Sequence, residues 1–558
     1  MSDVLTETAD GYGAFPRLSE AQIAVLTGCG QRRPTRAGEV LIAEGERDRD
    51  FFVVVSGLVA VVEGYGTAAE RVIRVHGPGR FLDELGLLTG QPAFVSSVVY
   101  EAGEVIAVPL PALRDQVSKD PKLSDLIVRA YLARRELLIG LGTGFKIIGS
   151  RYSPQTRRLR EFAARNRLPH AWIDLEEDPA TEDLLRQLGV GPDETPVVIW
   201  RSEQVLRNPS TAELAKVAGL AATSHPATLC DLVVVGAGPA GLAAAVYGAS
   251  EALSTVVLDA VATGGQAGTS ARIENYLGFP AGVTGAELAD RAVIQAEKFG
   301  ATITVPAEAT GLGQRDGYLV LQLDDGTELC SRTVVIATGV RYRRLDVPRL
   351  EEFEGRSVFY AATLVEAQYC RRQRVVIVGG GNSAGQAAVY LAQHAADVTL
   401  LIRHDDLGRD MSHYLVDRIE QDPNIRVLPN TTVRELAGHN GELETVVVED
   451  NRTGVRHHLP ATHLFVFIGA QPYTDWLKST LALDARGFVL TGPDAARAAA
   501  DGTGWAADRP PLLLETSLPG VLAAGDVRSG STKRIASAVG DGAMSVRLVH
   551  EYLAHTSP

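Results

Sequence analysis

Cysteine is scarce in this 558-residue chain, which has four: Cys29, Cys230, Cys330 and Cys370. No two are close enough in sequence for a CxxC or a short metal-ligand spacing, which excludes a disulfide-rich secreted scaffold and a zinc finger. Positive charge is also in deficit, 54 Lys and Arg against 68 Asp and Glu, for a net charge of −14. Phosphate backbones are held by clustered Lys and Arg, so nucleic acid is not expected as a partner. Apolar runs stay below the roughly 18 residues of a bilayer span, and no membrane association is expected. The N-terminal Met1-Ser-Asp-Val-Leu-Thr-Glu7 has neither the basic nor the apolar region of a signal peptide, which predicts a cytoplasmic location. Glycine, by contrast, is abundant at 56 residues, and its placement is informative.

The length suggests about three to four domains of roughly 100–200 residues each. From 15 to 111, short apolar runs alternate with glycine: Val40–Ile42, 50–57, 58–62, Arg71–Val75, Val98–Tyr100 and Val105–Val108. That spacing predicts a small β-roll, closed by a helix over 122–138. A compact α/β segment follows, with strands predicted at 145–149, 171–175 and 195–200 and helices at 153–166, 180–188 and 211–219. The Ala/Thr/Ser/Pro stretch 221–228 reads as a linker.

Two later stretches carry the chemistry. Asp231-Leu-Val-Val-Val-Gly-Ala-Gly-Pro-Ala-Gly241 is a buried-strand pattern running into Gly236-x-Gly238-x-x-Gly241 and a helix; a second strand then ends in Asp259. Such an arrangement binds a dinucleotide. Gly236 makes the turn, Gly238 with Pro239 and Ala240 opens the helix to a pyrophosphate, Gly241 lets helix and strand touch, and Asp259 meets a ribose hydroxyl. Arg374-Val-Val-Ile-Val-Gly379-Gly-Gly381-Asn382-Ser383-Ala384 repeats the architecture. Its following strand ends in Arg403 and His404, with Arg409 beyond. Bases where an NAD site usually carries an acid favour the 2′-phosphate of NADPH over NADH. Two such sites suggest one tightly held flavin and one exchanging nicotinamide. Further on, Gly525-Asp526 offers a carboxylate to ribityl hydroxyls, and the helix start at Arg534-Ile535-Ala536 faces the flavin's pyrimidine edge.

From Cys230 onward the chain resembles the low-molecular-weight thioredoxin reductase family. The resemblance rests on Gly236–Gly241, Gly264-Gly265-Gln266, Glu274-Asn275-Tyr276, Ala337-Thr338-Gly339, Gly379–Ala384, Phe467-Ile-Gly469 and Gly525-Asp526. It implies FAD and NADPH as cofactors and a usual homodimer. It also implies a discontinuous FAD domain (226–345 and 465–558) enclosing an NADPH domain (346–464), with Gly264 to Asn275 along the flavin. The family's redox CxxC is absent: Ala361-Ala362-Thr363-Leu364 stands at its place, and Cys370 is a lone thiol with an expected buried structural role.

Residues 139–222 resemble a thioredoxin/glutaredoxin module, with Thr195-Pro196 at that fold's cis-proline turn. Its redox position reads Tyr152-Ser153-Pro154-Gln155-Thr156, hydroxyls in place of both sulfurs, which implies a docking or structural element. Residues 1–138 resemble a cyclic-nucleotide-binding roll. Within its cassette Phe81-Leu-Asp83-Glu84-Leu-Gly-Leu-Leu88, Glu84 matches the ribose-binding acid. Asp83 replaces a glycine, and no Arg lies between Glu84 and Arg114. With an acid at the phosphate position and no guanidinium opposite, cyclic-nucleotide binding is unfavourable.

The expected fold is therefore multidomain: a β-roll, a small thioredoxin-like α/β module and two Rossmann-like α/β dinucleotide-binding domains. The expected activity is NADPH-dependent reduction of FAD, with electrons leaving directly to an acceptor. That acceptor is either a protein (ferredoxin, flavodoxin or thioredoxin-like) or a small molecule such as a quinone or dioxygen, and the roll is a candidate gate. The alternative is a redox or NADPH sensor with little turnover. Neither a metal site nor a catalytic acid–base pair is expected.

Overall fold

The computed structural model describes residues 5–11, 13–83, 86–177, 181, 185–186, 189–200, 204–220, 229–270, 273–354, 356–360, 362, 364–439, 441–500 and 509–555. The linker 221–228, most of the helix expected at 180–188, Glu84, Ala361 and Thr363 lie outside them. The chain forms two compact units, 1–224 and 225–558.

The first unit opens with helix α1 (Glu20–Cys29), started by a Ser19–Gln22 capping box. Strands β1 (Gln31–Pro34), β2 (Val40–Ile42), β3 (Phe51–Glu63), β4 (Arg71–His76) and β5 (Ser96–Val108) form the roll in the order β1-β5-β3-β4, with β2 on β5. The glycines at 57 and 103 do not end strands, as the short runs suggested. Gly57, at φ +81°, sits within β3 beside register shifts, and a Cβ on Gly103 would run into the Ser56 carbonyl. The pair lets two 13-residue strands bend together, so four expected short strands are two long ones.

Helices α2 (Leu110–Lys119) and α3 (Pro121–Gly140) close the roll, α3 capped by Asp120. Leu123, Ile127, Ala130 and Tyr131 are buried along α3, and the Tyr131 hydroxyl donates to the Leu82 carbonyl at 3.1 Å.

The α/β segment consists of β6 (Phe145–Ile148), α4 (Pro154–Arg165), β7 (His170–Ile173), β8 (Val197–Trp200), β9 (Gln204–Arg207) and α5 (Thr211–Ala218). Its sheet order is β7-β6-β8-β9, with β6 and β7 parallel and the other pairs antiparallel; Thr195–Pro196 is cis. The sequence reading missed β9, whose four residues alternate too briefly to signal a strand. The module's core is continuous with the roll: Phe94, Val95 and Leu138 bury against Phe145, Ile147 and Trp200. Phe94 and Phe145 meet edge to face with centroids 5.9 Å apart.

In the second unit, β10 (Cys230–Val235), α6 (Pro239–Ser250), β11 (Thr255–Leu258), α7 (Gly285–Lys298) and β12 (Thr302–Thr304) begin a parallel sheet. The hairpin β13 (Ala309–Arg315) and β14 (Tyr318–Leu323) joins it through β15 (Glu328–Ile336). The chain leaves along β16 (Val340–Tyr342) and builds a second parallel sheet. Its strands are β17 (Val358–Phe359), β18 (Arg374–Val378), β19 (Asp397–Leu401), β20 (Ile425–Leu428) and, after an antiparallel insert β21 (Thr431–His439), β22 (Glu442–Asp450) and β23 (Arg456–Pro460), β24 (His463–Val466). The order is β17-β24-β18-β19-β20, with helices α8 (Asn382–Leu391) and α9 (His413–Gln421) between strands. β25 (Ala470–Pro472) returns antiparallel to β16, and β26 (Val521–Ala523) rejoins the first sheet beside β15 before helix α10 (Ile535–His555).

Continuous valine-rich β10 and β18 are buried on both faces, as parallel strands covered by helices must be. No described helix is long and apolar enough to cross a membrane.

Candidate functional site

The motif residues of the first sheet gather at one edge. Gly236, Asp259, Ala337 and Ala524 each follow the C-terminal end of a parallel strand, β10, β11, β15 and β26, where open α/β sheets bind ligands. Backbone bonds knit the ends: Gly236 N–H donates to Leu258 O (2.7 Å), Ala337 N–H to Val235 O (2.8 Å) and Ala524 N–H to Ile336 O (3.0 Å). Gly236 takes φ +108°, and a Cβ there would meet the Ala337 carbonyl; one on Gly241 would meet Gly236 O. Gly264 N–H donates to Ala237 O at 2.7 Å, and Gly265 packs its Cα against the Gly238 backbone. The outcome is a floor of bare backbone at the start of α6.

That helix start has no side-chain cap, a feature that it shares with α2, α8 and α9. Helices α1, α3, α4, α5 and α7 each begin with a Ser, Thr or Asp side chain that accepts from a first-turn N–H. The two that follow the glycine loops, α6 at Gly238 and α8 at Gly381, have no such side-chain cap. Their first-turn N–H groups are left for a ligand, and the helix dipole favours an anion, so both loops fit a pyrophosphate.

Asp259 has more to do than the sequence suggested. Its Oδ2 accepts from Ala237 N–H at 2.8 Å, and its Oδ1 from Val261 and Ala262 at 2.9 and 3.0 Å. It shapes the glycine loop, while an acceptor position on Oδ2 stays open for a ribose hydroxyl. Gln266 Nε2 donates to Val340 O at 2.5 Å and Thr338 Oγ1 to Tyr473 O at 3.1 Å. Arg343 N–H donates to Gly469 O, and Tyr473 N–H to Gly339 O. These four motif positions therefore brace the β16–β25 ribbon between the sheets. Asn275 is exposed.

Beyond the end of β26, Asp526 is half-buried, and burial raises its carboxyl above the usual range despite Lys533 nearby. No hydrogen bond to that carboxylate is found among the described residues, which suits a hydroxyl donor from a ligand. Ile535 and Ala536 begin α10, with Arg534 exposed just before them. Sequence reasoning missed Asp541: its Oδ2 accepts from Gly525 N–H at 3.1 Å and from Arg528, fixing the turn that carries Asp526. It also passed over Gly542, where a Cβ would strike Ala240 O and push α10 off α6.

In the second sheet, Asn382 Oδ1 accepts from Ser412 N–H at 2.7 Å, tying the start of α8 to the loop after β19. Ser383 is exposed, Ala384 is buried, and Gly379 passes under Phe467 O. Arg403 Nε lies 3.1 Å from His404 Nε2, and Arg409 Nη1 lies 3.2 Å from His404 Nδ1. The three bases expected to meet a 2′-phosphate thus stand together, Arg403 and Arg409 both exposed.

All four cysteines are free; Cys370 is fully buried, and burial pushes its thiol up to about 12. At the expected CxxC, Ala362 is buried in the core of the second sheet, while Ala361, Thr363 and the Leu364 side chain lie outside the described residues. In the α/β module, Ser153 caps α4 by accepting from Thr156 N–H, and Thr156 is buried where Gly149 and Pro196 converge.

The roll corrects one expectation. A guanidinium does stand opposite Asp83, supplied from outside the cassette: Arg49 pairs through Nε with Oδ2 and through Nη2 with Oδ1 (3.0 Å). The stretch between Glu84 and Arg114 does not contain it, because the partner lies upstream on the approach to β3. Asp83 itself adopts φ +73°, the left-handed conformation that a glycine takes without strain. Glu84 lies outside the described residues.

Residues 230–542 match the pyridine nucleotide-disulphide oxidoreductase family and residues 32–120 the cyclic nucleotide-binding domain. The chain is similar to the thioredoxin reductase of Treponema pallidum, 33% identical over 323 residues, 58% of this chain and 97% of the relative. It is 31% identical over the same coverage to the 34.2 kDa protein in rubredoxin operon of Clostridium pasteurianum. The crystal structure of T. acidophilum thioredoxin reductase superposes with a TM-score of 0.52 at 30% identity, covering 59% of this chain and 99% of that one. The thioredoxin reductase family uses FAD and NADPH, and both glycine loops fit their pyrophosphates. From the family match and the geometry of the two loops together, the chain belongs to the pyridine nucleotide-disulphide oxidoreductases, an FAD-dependent NAD(P)H oxidoreductase with a cyclic nucleotide-binding domain at its N-terminal end.

Proposed function

We propose that the protein oxidises NADPH and passes the electrons to an external acceptor without an internal dithiol. FAD, held between the two nucleotide loops, would supply the hydride-accepting chemistry. The chain's own residues bind and orient. Gly236, Gly238, Pro239, Ala240 and Gly241 present the α6 N–H groups to one pyrophosphate, and Asp259 takes a ribose hydroxyl. Gly265, Gln266, Asn275, Thr338, Gly339 and Gly469 border the ring side of the cleft. Gly525 and Asp526 hold the ribityl chain, and Arg534, Ile535 and Ala536 face the ring's pyrimidine edge. In the second sheet, Gly379, Gly381, Asn382, Ser383 and Ala384 take the NADPH pyrophosphate, while Arg403, His404 and Arg409 select its 2′-phosphate.

The observation that carries direct transfer is Cys370. A lone thiol, fully buried and pushed up to about 12, is essentially all protonated near neutral pH and has no second sulfur to pair with. The first unit is then regulatory or adaptor in role, supported by the hydroxyls Ser153 and Thr156 at its redox position. The purified protein should be yellow and should bleach under anaerobic NADPH. Steady-state oxidation of NADPH should proceed with a one-electron protein acceptor or a quinone. Efficient reduction of a thioredoxin disulfide would sink the direct-transfer reading, and a colourless protein would sink the flavin assignment itself.

A further inference from the structure

The roll contains a cavity of about 40 Å³ whose contents the oxidoreductase reading does not use. Its walls are mostly apolar, formed by Ile42, Val61, Ile73, Phe94, Val95 and Leu138. Into these walls are set Arg74, His76, Asp83 and Arg134. His76 is only 2% exposed, and its Nδ1 has no hydrogen-bond partner; Arg74 Nε is likewise buried without one. Each such orphan costs about 1–3 kcal/mol unless something in the cavity pairs with it.

The charges around the cavity do not balance. Asp83, the one carboxylate on its wall among the described residues, is taken by Arg49. Arg134 donates to the carbonyls of Ala14 (2.8 Å), Asp83 (2.6 Å) and Phe81 (3.1 Å), which satisfy its N–H groups without neutralising its charge. No ion pair to Arg74 or Arg134 is found among the described residues. His76 stays neutral, its imidazole held well below the ordinary value by burial and by Arg134, Arg80 and Arg74.

We propose that this cavity binds a small apolar carboxylic acid, as its anion, in place of a cyclic nucleotide. The buried excess of guanidinium charge calls for an anion, and the orphaned Arg74 Nε supplies a charge-assisted donor. The apolar walls call for a hydrocarbon body. The volume admits only a few water-sized groups, which limits that body to a short chain. A cyclic phosphate finds Ala93, Phe94 and Val95 as its wall, beside an acid already paired with Arg49. Because Phe94, Val95 and Leu138 also belong to the core of the thioredoxin-like module, the acid would rest on side chains that hold the module to the roll.

The test is calorimetry on the full-length protein with butyrate, its uncharged isostere butyramide, cyclic AMP and cyclic GMP; none of these readouts depends on flavin turnover. Butyrate should bind saturably, butyramide at least about tenfold more weakly, and the nucleotides not at all. Arg74→Gln should weaken butyrate about tenfold or more, and Ile73→Trp should abolish binding by filling the space while leaving the charges in place. Equal affinity for butyramide, undiminished binding in both variants, saturable nucleotide heat or no heat from butyrate would each overturn the proposal.

Discussion

Asp83 combines two features that its neighbours in sequence do not advertise: a left-handed backbone and a fully buried pair with Arg49, their side chains 2% and 1% exposed. Replacing it by glycine would relieve the backbone, a gain of about 1 kcal/mol. The same change would strand the Arg49 guanidinium in the interior, which costs about 3–5 kcal/mol when a buried pair loses one partner. Loss of the pair therefore outweighs relief of the backbone. Asp83→Gly should lower the melting temperature of the first unit, and calorimetry should detect no new cyclic AMP affinity, since the wall at Ala93–Val95 is unchanged. A stabilised variant, or one that gains the nucleotide, would contradict this account.

Among the elements, the two helices that follow the glycine loops, α6 and α8, show what can be read from a chain and what cannot. Strand, glycine loop and helix are contiguous, and each glycine's reason, a turn or a close approach, is local, so both glycine loops were legible. Arg49, Asp541 and Gly542 were not, because each acts on a partner far along the chain that only the fold brings near. Gly57 and Gly103 were misread as turns for the same reason: alone each looks like an end, and only side by side do they make a bend.

The loop after β19 was legible, and its clustered bases make a prediction. Arg403→Gln with Arg409→Gln should raise the KM for NADPH about ten- to a hundredfold while leaving that for NADH nearly unchanged. Equal losses with both nicotinamides would move these bases out of 2′-phosphate recognition.

β24 makes a pH prediction. Burial pushes the His463 imidazole down to about 4, so the fold holds it neutral, stacked near Phe359. Between that value and the unfolded value of about 6.5, the unfolded chain binds more protons than the native one, so stability falls as pH falls and is level above about 6.5. From pH 7 to 5 this single group should remove about 1–2 kcal/mol. Denaturant melts of His463→Phe should show a correspondingly shallower loss over that range; an unchanged slope would assign the acid sensitivity elsewhere.

At the scale of the whole molecule, transfer from NADPH requires the second sheet's nucleotide edge to face the flavin side of the first. An ion pair bears on that orientation. Arg418, on α9 just beyond the Arg409 loop, pairs with Glu274 at 2.9 Å, and Glu274 adjoins Asn275 in sequence. The pair therefore ties the element that follows the Arg403–His404–Arg409 cluster to the segment around Asn275. Both side chains keep solvent contact, 39% and 27% exposed, so the pair should contribute no more than about 1 kcal/mol, the range of surface ion pairs. That is enough to shift an orientational equilibrium, though not to lock it. With no internal disulfide to serve, a reductase of this kind gains from holding the nicotinamide-facing arrangement, and a weak tie suffices. In stopped-flow reduction by NADPH, Arg418→Ala should be slower by about two- to fivefold at low ionic strength. The difference should shrink as salt screens the wild-type pair. A variant as fast as wild type at low salt would mean that the ribbon braced by Gln266 and Thr338, rather than this ion pair, sets how the two nucleotide sites face each other.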